Sequence, residues 1–129
     1  MPIELEMLGW SVCLGIFHVA IAAALATQQR GLKWNAGNRD GAPKALSGAA
    51  ARAERATHNF LETFPFFIAS VFALTVLKLT SAHTALGSEL YFWARLLYVF
   101  VYIIGIPYFR AVVWAVSILG LLLLVVAWL

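Results

Sequence analysis

Arg55, Asn59 and Glu62 stand four and then three residues apart, so on a helix they share one face, with Arg52 and His58 close to the same stripe. A second set, Arg95, Tyr98 and Tyr102, repeats at i, i+3 and i+7 and leads toward Arg110. Arginine forks match carboxylates, so the natural guest of such a set is a small anion with more than one carboxylate. Other chemistries lack their residues. His18, His58 and His83 lie on different segments and no Cys/His spacing suits zinc. No Ser/His/Asp arrangement and no phosphate-cradling glycine loop is present.

The surroundings make these polar residues informative. Of 129 residues, 63% are hydrophobic and 12% charged, with a mean hydropathy of +0.87, a balance that points to an integral membrane protein. Four apolar segments, about 7–28, 56–79, 89–107 and 110–128, each approach the length that crosses a bilayer. A single four-helix transmembrane domain is therefore expected over 1–129, with one sizeable loop over about 29–51. The acidic start "MPIELEML" is unlike a secretory signal and fits a retained first helix. Cys13 is the only cysteine and is expected to pack in the apolar run.

Topology follows from the basic residues. Arg30, Lys33, Arg39, Lys44, Arg52, Arg55 and Arg110 sit near the first and third connections, against Lys78 near the second. The positive-inside rule then places loops one and three in the cytoplasm and both termini outside, with Trp128, Trp93 and Tyr91 in an aromatic belt. The net charge of +3 suits this orientation better than nucleic-acid binding. Compact size and the "GNRDG" loop suit a bacterial inner membrane.

Each polar residue also has a plain structural reading. Arg52 and Arg55 can snorkel to the interface, Asn59 can join helices, and the tyrosines can pack or sit at the membrane surface. Glu62 lies deeper, where a carboxylate is expensive without a partner, and depth along helices two and three predicts an ion pair with Arg95. Asn35, Asn38, Arg39 and Asp40 suit turns beside the membrane or a lid over the ligand.

The stretch "RAERATHNFLETFPFF", residues 52–67, resembles the signature of the MAPEG family, the membrane-associated proteins of eicosanoid and glutathione metabolism. In that signature an Arg-Ala pair precedes Asn, then Glu three residues on, then Pro-Phe. "ARLLYVFVYIIGIPYFRAVVW" is similar to the family's third and fourth helices. The resemblance implies an all-α, left-handed four-helix bundle assembled as a homotrimer, with glutathione held between neighbouring subunits on the cytoplasmic side. It implies that Arg55, Asn59, Glu62, Tyr98 and Tyr102 contact glutathione, that Arg30 holds a carboxylate across the subunit boundary, and that Arg110 activates the thiol. Arg52, His58 and Arg95 complete the expected binding set, and Tyr102 assists Arg110 as a hydrogen-bond donor.

The implied activity is a membrane-bound glutathione transferase or peroxidase acting on hydrophobic electrophiles or lipid peroxides. Two other classes stand beside it. One is a non-catalytic lipid-binding or scaffold subunit, which has little reason to place Arg110 and Tyr102 at one mouth. The other is a small transporter or channel subunit in which Glu62 and Arg95 line an ion path.

Overall fold

The computed structural model describes residues 1–129, which form four long helices and a short one: α1 (Ile3–Arg30), α2 (Leu32–Ala36), α3 (Gly48–Val76), α4 (Ala82–Ile104) and α5 (Phe109–Trp128). The four long helices are each long and apolar enough to cross a membrane. They form an all-helical bundle in which α1 and α4 run toward one end and α3 and α5 run away from it. That end carries the α1–α3 loop and the α4–α5 turn, and is called the loop end below.

Hydropathy marks the apolar stretches but not their ends. α3 begins at Gly48, well before the apolar run, because "GAAARAERA" is rich in strong helix formers despite its charges. α4 begins at Ala82, where Ser81 and Thr84 cap each other's backbone amides. It stops at Gly105, which takes the left-handed conformation at φ 92° that favours glycine, two residues before Pro107. α2 lies within the stretch expected to be loop. The loop is stitched to the bundle: the Gln29 side chain and the Ser47 backbone exchange hydrogen bonds of 2.9 and 3.0 Å, and Arg30 Nε donates to the Lys44 carbonyl at 2.8 Å.

The core is built around an aromatic file between α1, α3 and α4. His18 stacks on Phe60 at 4.9 Å, Phe60 on Phe64 at 4.9 Å, and Phe67 on Tyr91 at 4.1 Å. Tyr91 is therefore a core residue and not part of a surface belt, because its ring is buried against Phe67 and its hydroxyl meets Thr63 at 3.0 Å. Phe67 is also fully buried. Cys13, expected to pack, lies exposed on the bundle's outer surface.

At the opposite end the buried Glu4 carboxylate accepts a hydrogen bond from Thr84, tying the start of α1 to the start of α4. α4 and α5 approach closely where Gly87 faces Gly120: a Cβ on Gly120 would lie 2.5 Å from the Gly87 carbonyl oxygen. Only glycine at both positions allows that approach.

Candidate functional site

Three guanidinium groups converge at the loop end. Arg52 and Arg55 extend from the first turns of α3, Arg110 from the first turn of α5, and Tyr102 from the last turns of α4. Together with Gly105, Ile106 and Pro107 they line a cavity of about 300 Å³ that has no carboxylate in its wall. Arg55 Nε donates to the Tyr102 hydroxyl at 3.1 Å, and the Arg110 guanidinium lies 4.8 Å from the centre of the Tyr102 ring. Arg52 packs on Gly105 and donates from Nε to the Ile103 carbonyl at 2.9 Å, so it also satisfies the C-terminal end of α4.

Because Arg55 occupies the Tyr102 oxygen as acceptor, the Tyr102 proton is free to be given elsewhere. The cavity thus offers guanidinium forks for carboxylates, an unpaired cation at Arg110 and a hydroxyl donor. That combination suits an anionic ligand whose reacting group gains negative charge.

Below the cavity lies a second, closed layer. Arg95 is fully buried on α4, and its Nη1 donates to Asn59 Oδ1 at 2.7 Å, while Nη2 donates to the Asn59 carbonyl at 3.1 Å and to Thr63 Oγ1 at 2.7 Å. The guanidinium also lies 5.0 Å from the centre of the Tyr98 ring. Tyr98 in turn meets Tyr102 edge-to-face at 5.5 Å and 84°. Asn59, Arg95 and Tyr98 are therefore joined to the cavity through Tyr102, while Tyr98 itself is wholly buried.

The expected Glu62–Arg95 ion pair does not form. Depth along the two helices is not the obstacle; direction around α3 is. Arg95 points at the stripe carrying Asn59 and Thr63, which lie about 40° apart at 100° per residue, whereas Glu62 is turned about 60° the other way from Asn59 and is exposed on the outer surface. Removal of the two partners should therefore have unequal effects. Asn59→Leu leaves buried guanidinium hydrogens without acceptors and should lower stability by roughly 3 kcal/mol, while Glu62→Gln should leave the thermal midpoint nearly unchanged. Equal destabilisation by both, measured in thermal unfolding of the detergent-solubilised protein, would restore the ion pair.

Arg30 and His58 fall on the other side of α3. They line a separate cavity of about 460 Å³ between α1, the loop and α3, with Trp34, Asn35, Arg39 and Glu54. Within that wall Arg39 is folded onto Asn35, and Asn35 Nδ2 donates to Thr27 Oγ1 at 2.7 Å. Within one chain, then, Arg52, Arg55, Tyr102 and Arg110 are gathered, Asn59, Arg95 and Tyr98 support them, and Arg30, His58 and Glu62 stand apart. Thr63 was not singled out from the sequence, although it falls four residues after Asn59 on the same stripe.

The chain matches the sequence model of the MAPEG family over residues 7–129. It belongs to that family. No curated protein and no solved structure matches it. MAPEG proteins include glutathione transferases and peroxidases as well as members without catalytic activity. Membership accords with the four helices long and apolar enough to cross a membrane.

Proposed function

We propose that the protein is a membrane-bound, glutathione-dependent transferase or peroxidase whose site is the arginine-lined cavity at the loop end. One observation carries this reading: Arg52, Arg55 and Arg110 surround Tyr102 in a cavity without a carboxylate in its wall. Such a mouth favours a peptide with two carboxylates and an ionisable thiol. Arg52 and Arg55 hold carboxylates, and Arg110 stands beside the sulfur.

A free thiol ionises with a pKa of about 8.5, and the thiolate is the nucleophile, so a guanidinium beside the sulfur increases the reactive fraction at neutral pH. Its proton leaves to water. The sulfur lone pair then forms the S–C bond as an electrophile's leaving group departs with its electrons. With a hydroperoxide, the sulfur attacks oxygen and the O–O bond breaks. The alkoxide takes a proton, and a second glutathione completes the reduction with formation of glutathione disulfide and water. Tyr102 donates its free hydroxyl hydrogen to the sulfur or to the departing oxygen.

Arg30 and His58 belong to this reading only in an oligomer. A homotrimer would bring the α1–α3 face of one subunit against the cavity of the next, so that Arg30 of the partner subunit reaches a glutathione carboxylate and Glu62 is covered rather than left to lipid. The basic residues of the loop end support a cytoplasmic position for it under the positive-inside rule, with both termini outside. The hydrophobic reactant then arrives through the bilayer.

The test is ultraviolet difference absorbance in the thiolate band on adding glutathione to the purified protein in detergent. A saturable thiolate signal is expected. Its absence from an intact oligomer would overturn the enzyme reading and leave a lipid-binding or scaffold role.

A further inference from the structure

Arg95 is a buried cation that makes no hydrogen bond to a carboxylate. Its Nη atoms are bound to Asn59 and Thr63 on α3, and its Nε is buried without a partner. So costly an arrangement is a poor way merely to join two helices, since a well-packed apolar contact would serve as well or better. What it does provide is reach. From the clamp on α3, the guanidinium extends to 5.0 Å from the centre of the Tyr98 ring, and Tyr98 holds Tyr102 edge-to-face at 84°.

The Tyr98 hydroxyl is buried without a well-formed hydrogen bond, and it is the ring that meets both Arg95 and Tyr102. Tyr102, at the end of this file, has its oxygen on Arg55 and its ring against Arg110. A continuous path thus runs from Asn59 and Thr63 through Arg95, Tyr98 and Tyr102 to the two arginines of the cavity. It lies along one face of α4, because Arg95, Tyr98 and Tyr102 follow at i, i+3 and i+7.

We propose that Arg95 is a positioning residue: through the face of Tyr98 it fixes the tilt of the Tyr102 ring, and so the meeting of Tyr102 with Arg55 and Arg110. The consequence for chemistry rests on the glutathione reading above, but the geometric relay does not. A cation on one face of Tyr98 and an aromatic edge contact to Tyr102 leave the Tyr98 ring little freedom to turn. Tyr102 is then held in one orientation before any ligand arrives, which keeps its hydroxyl oxygen on Arg55 and its proton directed into the cavity.

The experiment places 3-fluorotyrosine at position 102 of the full-length protein and follows its fluorine resonance without ligand. Arg95→Gln is expected to shift or broaden that signal, and Tyr98→Leu to do the same. The double variant should add little to either, as expected for residues acting in series. Tyr98→Phe should leave the signal in place, since the ring remains. Leu124→Ala removes buried apolar volume in the core and serves as a control that weakens the bundle without touching the relay.

An unmoved signal in Arg95→Gln, or an equal shift in Leu124→Ala, would overturn the proposal. Should Arg95→Gln not fold, Tyr98→Leu against Tyr98→Phe decides the matter: a shift in Leu alone supports the relay, and the same result in both refutes it. Adding glutathione separates the two levels. The thiolate signal should fall about ten-fold in Arg95→Gln, equivalent to one unit of thiol pKa, with a smaller change in the glutathione dissociation constant. If the parent gives no thiolate signal while the fluorine resonance still responds, the glutathione reading fails and the relay stands. A thiolate signal with an unresponsive fluorine resonance has the opposite meaning.

Discussion

Arg110→Ala should, under the proposed glutathione function, remove most of the thiolate while leaving the ligand bound. The expectation follows from the division of work within the cavity. Arg52 and Arg55 remain in the wall as the guanidinium forks proposed for carboxylates, and Arg55 keeps its hydrogen bond to Tyr102. Arg110 is the one guanidinium of the three that reaches the cavity from α5. An opposite charge at 4–6 Å moves an ionisation by about one to three units, and Arg110 is half-exposed, which favours the lower end. Loss of one to two units of thiol acidity, back to the free value of about 8.5, would reduce the thiolate fraction, and with it conjugation at pH 7, by roughly 8- to 25-fold.

Arg110→Lys sharpens that test. Lysine retains a charge but loses the planar fork and its fit over the Tyr102 ring, so partial recovery is expected. Ultraviolet titration of the bound thiol, run beside calorimetric binding, distinguishes the outcomes. Lost binding with an unchanged thiol pKa would make Arg110 a carboxylate holder and would place the activation of sulfur elsewhere.

Much of this site was legible in the sequence because a helix repeats every 3.6 residues whatever it packs against. The stripes Arg55, Asn59 and Arg95, Tyr98, Tyr102 need only that period, and their convergence needs only four helices of alternating direction. Glu62 exposes the limit. Depth is read by counting residues, but which of two neighbouring faces meets the next helix depends on bundle packing, and there Asn59 and Thr63 prevailed. Buried Glu4, Ser11 and His18, spaced seven apart on α1, were hidden for a different reason. Within a stretch apolar on every side, three inward polar residues scarcely alter the hydropathy. Helix ends were misjudged where local propensity overrode hydropathy, as in the alanine-rich start of α3.

Gly120→Ala should be among the most damaging single-methyl changes in the molecule. A Cβ at that position would lie 2.5 Å from the Gly87 carbonyl oxygen, 2.8 Å from the Tyr91 backbone nitrogen and 3.0 Å from Leu90 Cβ. The first two obstacles are backbone atoms and cannot rotate away, so α4 and α5 must separate. Overpacking of this kind costs about 1–3 kcal/mol and sometimes more, against a helix-propensity gain of about 1 kcal/mol for alanine over glycine. Gly9→Ala supplies the comparison: nothing lies within 4 Å of its added methyl, so only the favourable propensity remains. Thermal unfolding in detergent should therefore fall for Gly120→Ala and hold or rise for Gly9→Ala; a Gly120→Ala protein as stable as its parent would mean that the two helices do not cross at these glycines. The crossing also matters to chemistry. Arg110 is carried by α5 and Tyr102 by α4, so the 4.8 Å contact between guanidinium and ring depends on how closely those helices meet. At temperatures where Gly120→Ala remains folded, it should weaken the thiolate signal even though position 120 lies outside the cavity, because separating the helices moves Arg110 away from Tyr102.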